Sequence, residues 1–218
     1  MDRNVKEKTT SIAEAVFNTI EQDILDGKLK NGEILTELRL CEILNVSRTP
    51  VREALKRLRQ ENLIVESGKG AIVVGISQKD IDDIYNIRIR LEGLAAALCC
   101  DNATDEIIRE LRNTVELQEF YILRENYENL RNLDSEFHQK IYNYCGNRVL
   151  CAILSDLHRK VRHFRLTSMK NKTRGDEVIA EHRAIIEAIA LKDRYLAEKL
   201  ATDHVKRAYM CLEKTDGE

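Results

Sequence analysis

A single proline, Pro50, stands in 218 residues, where average usage of about 5% would place roughly eleven. Nine glycines are also few, and three of them, Gly68, Gly70 and Gly75, fall within eight residues. Proline removes a backbone donor and clashes with the preceding turn, and glycine costs about 1 kcal/mol in a helix interior. A chain nearly free of both predicts long uninterrupted helices, with the glycine cluster marking a segment of another kind. Hydrophobic residues make up 43% of the chain, enough for a real core, which excludes wholesale disorder. No run approaches the roughly 18 apolar residues of a membrane span, and the charged stretch Met1 to Lys8 has no apolar run behind it. Neither a span nor a signal peptide is expected. The cysteines Cys41, Cys99, Cys100, Cys145, Cys151 and Cys211 form no C-x-x-C pair, and most fall in apolar helical patterns. They read as free thiols of a cytoplasmic protein.

The chain divides near Gly75, into residues 1–75 and 76–218. In the first part, Ser11 and Glu14 form an S-x-x-E capping box ahead of Ile12, Val16, Ile20 and Ile24, with Gly27 as the stop. A short second helix is expected over Thr36–Leu44, with Leu40, Ile43 and Leu44 apolar. Asn45-Val46-Ser47 reads as a turn. Thr49 as N-cap and Pro50 at the first helical position would open a third helix with Val51, Leu55 and Leu58 on its apolar face. Leu63–Val65 and Ala71–Val74 are β-rich runs around a Glu66–Gly70 loop, a small hairpin. Three helices and a two-stranded hairpin describe a winged helix-turn-helix, the motif that places a recognition helix in the major groove.

Net charge alone, at -2, points to no partner. Residues Asn45 to Gln60 carry Arg48, Arg52, Lys56, Arg57 and Arg59 against Glu53, a local excess of +4. Such clustering is compatible with nucleic acid, but on charge alone a solvated helix face is the commoner reading.

The segment LNVSRTPVREALKRLRQENLI resembles the signature of GntR-type transcription regulators, with Asn45 and Asn62 where glycine is usual. The resemblance spans residues 10–75. By position it implies that Arg48, Thr49 and Arg52 contact double-stranded DNA and that the Gly68-Lys69-Gly70 tip enters the minor groove. It also suggests Arg39, beside Leu38, where relatives often carry a basic contact. The chemistry of the residues agrees. Arg48 and Arg52 are four apart near a helix N-terminus, and arginine suits bidentate contact with guanine O6 and N7.

Residues 76–214 read as all-helical. Ile81, Ile84, Ile87, Leu91 and Leu94 mark a first helix, and Thr104 opens a second with Ile107, Leu111, Val115 and Leu117. Further helices are expected over Tyr127–Cys145, Arg148–Met169, Asp176–Leu191 and Arg194–Leu212, with breaks at Asp101-Asn102, Gly146-Asn147, Gly175 and Lys192-Asp193. The expected fold is mainly α: an N-terminal winged helix-turn-helix plus a C-terminal all-α helical bundle.

The histidines carry the chemistry of the second part. Asp134 and His138 are i and i+4 on one helix, and His182 and His204 lie on two others beside apolar stripes. Three imidazoles and a carboxylate suit a divalent Zn, Ni or Mn ion. A lone histidine on an apolar face is more often a core residue with a satisfied hydrogen bond, and spacing alone leaves both readings open.

NLDSEFHQKIYNYCGNRVL, AEHRAIIEAI and a following HV resemble the helical ligand-binding (FCD) domain of the FadR-type GntR branch. The resemblance covers residues 77–212. It implies a metal held by Asp134, His138, His182 and His204 that helps bind a small carboxylate effector. His158 and His163 fall outside its pattern and read as surface or supporting residues. Arg88, in DIYNIRIRLEGLAA, matches an arginine of this branch that would pair with the effector carboxylate; a salt bridge with Glu92 is the alternative. The resulting expectation is a homodimeric repressor on a palindromic operator, and not an enzyme. The alternatives are a metal-dependent hydrolase, for which HExxH, a serine elbow and a cysteine–histidine pair are all missing, and a regulator whose metal is purely structural.

Overall fold

The computed structural model describes residues 11–162 and 172–215. The chain forms two compact units, divided between Ser77 and Gln78.

In the first unit, α1 (Ile12–Leu25) is capped by Ser11, whose hydroxyl accepts the Glu14 N–H at 3.1 Å. Val16, Phe17, Ile20, Ile24 and Leu25 form its buried face. Ile12 is 65% exposed and lies before that face begins. A two-residue strand, β1 (Ile34–Leu35), precedes α2 (Glu37–Leu44), which Thr36 caps and Asn45 ends in the left-handed region, at φ 51°. Ile43, expected in the core, is exposed, and Leu40 is the buried residue of this short helix.

Helix α3 (Arg48–Gln60) starts two residues before the sequence suggests: Ser47, not Thr49, occupies the N-cap position. Pro50 therefore sits in the third helical position. It is tolerated there for the same reason, because the first four N–H groups of a helix have no intrahelical partner. Val51, Ala54, Leu55 and Leu58 turn inward and the basic residues outward.

The wing consists of β2 (Ile64–Ser67) and β3 (Gly70–Val73), antiparallel, with Ser67 opposite Gly70 across the Gly68-Lys69 turn. Strand β1 completes a sheet of order β1-β3-β2 by pairing Ile34 with Ile72 and Leu35 with Ala71. Two residues are too short for any alternation to announce them. Gly70 shows why glycine is needed here. Its φ is 139°, and a Cβ would lie 2.5 Å from the Leu35 carbonyl oxygen, so a side chain would drive β1 off the sheet.

The described residues of the second unit form six helices: α4 (Gln78–Asn102), α5 (Asp105–Ile122), α6 (Tyr127–Tyr144), α7 (Arg148–Lys160), α8 (Lys172–Ala190) and α9 (Arg194–Thr215). Thr104, Asn126 and Asn147 cap α5, α6 and α7 through their side-chain oxygens. Gly146 and Lys192 make the turns before α7 and α9 with positive φ. One apolar cluster, including Cys99, Leu111, Leu130, Phe137, Leu154, Ile186 and Ala197, fills the bundle. Ile87, Leu94 and Leu117 were expected on the inner stripes but are exposed, because the apolar spacing is wider than the buried arc.

Two glycines carry packing. Gly175 is no break: it lies inside α8, and a Cβ there would approach Ile122 Cδ1 of α5 to 3.2 Å. Gly93 lies mid-way along α4, where a Cβ would meet Thr202 Oγ1 at 2.3 Å and the Glu198 carbonyl oxygen of α9 at 2.8 Å. Gly93→Ala gains about 1 kcal/mol of helix propensity but overpacks a backbone contact, which costs about 1–3 kcal/mol. A net loss of stability in urea denaturation is expected; a neutral or stabilised variant would show that the two helices can part without cost.

Candidate metal centre and recognition helix

Three helices bring the four expected ligand residues together. Helix α6 supplies Asp134 and His138, α8 supplies His182 and α9 supplies His204; all four are buried, His182 completely. One nitrogen from each histidine falls in a group within 4.8 Å. His138 Nε2 and His204 Nε2 are 3.3 Å apart. Asp134 Oδ1 lies 3.7 Å from His182 Nε2 and 4.0 Å from His138 Nε2.

The opposite nitrogen of each ring is held from behind. His138 Nδ1 is 3.1 Å from Glu92 Oε2, His182 Nδ1 is 2.8 Å from Gln118 Oε1, and His204 Nδ1 is 2.7 Å from Glu181 Oε2. The Gln118 amide nitrogen donates to the Leu133 carbonyl at 3.0 Å, so its oxygen is left to accept. Each partner at Nδ1 is thus an acceptor. That assigns the proton to Nδ1 and turns the Nε2 lone pairs toward one another and toward the Asp134 carboxylate. Such a set has donors of electron pairs and no proton between them, which is the arrangement a divalent cation fits. Burial and the neighbouring His138 push the His204 pKa down to about 4, against the pull of Glu181, so its ring is neutral near pH 7. Burial acts to raise the Glu181 pKa, but hydrogen bonds from His204 and Arg174 bring it to about 2.

Behind the centre, Arg88 is fully buried and paired with Glu92, its Nε and Nη2 each 2.6 Å from Oε1. The salt bridge considered from the sequence is present. The other Glu92 oxygen faces His138, so one carboxylate joins the arginine to the imidazole. Burial would raise the Glu92 pKa; Arg88 and His138 outweigh it and hold the carboxyl well below the usual range. Arg88 Nη1 and the hydroxyl of Tyr85, one turn earlier on α4, are buried and have no hydrogen-bond partner among the described residues.

His158 is not a surface residue. It is buried, with Nδ1 3.2 Å from the Tyr142 hydroxyl, and it groups with Glu92 and His138 within 4.8 Å. Burial keeps its pKa well below the ordinary histidine value. His163 lies outside the described residues. Gln118 and Glu181 escaped the sequence reading. Glu181 directly precedes His182, a signal that could have been used, but Gln118 is 64 residues from its partner and gives none.

In the first unit, Arg48, Thr49 and Arg52 are exposed on the first turns of α3. Arg52 Nε is 2.9 and 2.8 Å from the two carboxylate oxygens of Glu37, at the start of α2. Arg39 is exposed and Nη1 pairs with Glu33 at 3.1 Å. Gly68 and Lys69 are exposed at the wing turn. A groove of about 370 Å³ joins helix and wing, lined by Arg52, Lys56 and Arg59 on one side and Glu66, Ser67 and Gly70 on the other.

A winged helix-turn-helix followed by a helical bundle around a buried histidine–carboxylate centre defines a class of transcriptional regulators. Residues 12–74 match the bacterial regulatory proteins of the gntR family, and residues 83–207 match the FCD domain. The chain belongs to the GntR family of transcriptional regulators and carries an FCD domain. It is 30% identical over 207 residues to the HTH-type transcriptional regulator YdhC of Bacillus subtilis, covering 94% of this chain and 92% of that one. It is 29% identical over 181 residues to the gluconate operon transcriptional repressor of Bacillus licheniformis, covering 81% and 74%. The solved structure of McbR/YncC from E. coli aligns with a TM-score of 0.79 at 26% identity, over 94% of this chain and 98% of that one. No helix among the described residues is long and apolar enough to cross a membrane.

Proposed function

We propose that this regulator is a homodimeric repressor whose operator affinity is set by a small carboxylate metabolite, bound beside a divalent Zn, Ni or Mn ion held by Asp134, His138, His182 and His204. The observation that carries the reading is the convergence of three imidazole Nε2 atoms and one carboxylate in the bundle interior, each ring fixed from behind. Four protein ligands leave positions free on an ion that takes a larger coordination number, and a metal there would supply Lewis acidity toward an acid's oxygen atoms. Arg88 Nη1, buried without an acceptor among the described residues, supports an anionic ligand, and the Tyr85 hydroxyl supports a second polar contact.

On the DNA side, Arg48, Thr49 and Arg52 at the start of α3 would read bases in the major groove. Arg39 would add a phosphate contact, and Gly68, Lys69 and Gly70 would form the wing tip. A symmetric dimer implies a palindromic operator. The gluconate operon repressor among the relatives supports repression. Work on chromosomal DNA, together with the free thiols, supports a cytoplasmic location. The carboxylates beside the centre, Glu92 and Glu181, are each committed to an arginine and a histidine, which does not favour a hydrolase.

Linkage tests the reading. An acid that weakens operator binding must bind more weakly itself when operator is present, by the same factor, typically about 5- to 150-fold. Calorimetric titration of candidate acids with and without operator, at fixed salt, measures both sides. Equal acid affinity in the two titrations would refute control by that acid. Chemical turnover of an acid that leaves DNA affinity unchanged would favour the enzyme, and a metal-free protein that responds fully would make the metal structural.

A further inference from the structure

The carboxylate of Glu37 is out of place on a surface meant for a polyanion. The stretch from Asn45 to Gln60 is strongly basic, and every acid near the phosphates weakens binding. Glu37 is nevertheless set at the first residue of α2, a helix start fixed by the Thr36 hydroxyl accepting the Arg39 N–H at 3.3 Å. From there it takes the Nε–H of Arg52 on both oxygens, at 2.9 and 2.8 Å. Stability does not explain the pair. Both side chains are exposed, at 61% for Arg52 and 38% for Glu37, and exposed ion pairs contribute little.

A guanidinium offers two edges with paired donors, one made by Nε and an Nη, the other by the two Nη groups. Glu37 holds the first through its Nε–H. The second edge is left to the outside, with two parallel N–H groups at the spacing of guanine O6 and N7. A free arginine at this position could turn either edge to a base or swing to a phosphate; the clamped one cannot do so without giving up Glu37.

We propose that Glu37 is a positioning residue that sets the aim of Arg52, so that the regulator gives up general affinity for DNA to gain discrimination at one guanine of each half-site. The proposal rests on the reading that Arg52 contacts a base. It predicts a loss on the selected duplex with no loss on unselected DNA, which neither a charge effect nor a folding defect produces.

The test uses the full chain with two duplexes: one selected from a randomised pool by the wild-type protein, and an unselected pool of the same length. Glu37→Ala is expected to bind the selected duplex about 10-fold more weakly, near the lower end of what one bidentate arginine–guanine contact supplies. It should bind the unselected pool as well as or a few-fold better than wild type, because a negative charge is gone. Glu37→Gln keeps an acceptor for Nε–H and should recover part of the discrimination. In an Arg52→Ala background, Glu37→Ala should shift both affinities by the same factor. An equal gain on both duplexes in Glu37→Ala alone would make Glu37 a mere repulsive charge, and an equal loss would make it structural. Either result overturns the proposal, as would no change in either affinity. If Arg52→Ala keeps the full ratio of selected to unselected affinity, the base-contact reading itself fails, and the proposal falls with it. A narrowed ratio in Arg52→Ala beside an unchanged one in Glu37→Ala defeats the proposal alone.

Discussion

Replacing His182 with alanine is expected to release most of the bound metal, with affinity falling by more than about 100-fold, since even the residues that orient a ligand are worth 10- to 100-fold. His182 is fully buried, stacks on Phe137 at 4.0 Å between ring centroids, and is tied through Nδ1 to Gln118. Removing the ring therefore leaves a cavity and strands the Gln118 oxygen, and the variant loses stability with or without metal. The informative quantity is the difference between metal-loaded and metal-stripped protein. A metal at 100 times its dissociation constant stabilises the wild type by about 2.7 kcal/mol, and that increment should vanish in the variant. Elemental analysis gives the occupancy and thermal denaturation gives the increment. Full occupancy in His182→Ala would remove this residue from the centre.

The second large effect belongs to Arg88. Arg88→Ala leaves the Glu92 carboxylate buried without its guanidinium, among the neutral groups of His138 and His158, and breaking a buried pair by removing one partner costs about 3–5 kcal/mol. The loss should be smaller when Glu92→Gln is combined with Arg88→Met, since the charge left behind, rather than the lost attraction, is what destabilises. Urea denaturation of the single and double variants separates the two causes. A loss below about 1 kcal/mol in Arg88→Ala would mean that Glu92 finds water or a proton at little cost. Metal affinity should fall as well, because Glu92 no longer divides its hydrogen bonds as it does in the wild type and His138 is held differently.

Much of this architecture is legible in the chain. Helix starts with Ser11, Thr36, Thr104 and Asn147 have a local cause, a side-chain oxygen that takes an N–H of the first turn, and local causes can be read from local sequence. The i, i+4 pair Asp134 and His138 is legible for the same reason. That His182 and His204 join them depends on how three helices pack, and only family resemblance anticipates it. Glycine is the ambiguous letter. Gly146 ends a helix through its positive φ, whereas Gly175 and Gly93 let helices approach, and nothing in the neighbouring residues separates the two uses. Apolar residues mislead in the other direction: Ile43, Ile87 and Leu117 fit the helical period yet face outward. Strand β1 and Gln118 are invisible for a common reason, since each has its role only through a partner far along the chain.

Glu92 offers one oxygen to Arg88 and the other to the imidazole that faces the centre. If the bundle binds an acid and an ion as proposed, this ties two traits into one in evolutionary terms. A lineage that altered Arg88 to admit a different acid would, by the same substitution, change how firmly His138 donates its electrons to an ion, and a lineage that exchanged its ion would change the grip on the acid. Preference for a metabolite and preference for a metal then drift together, and a designer who wishes to re-address the sensor has to rebalance residue 92 first.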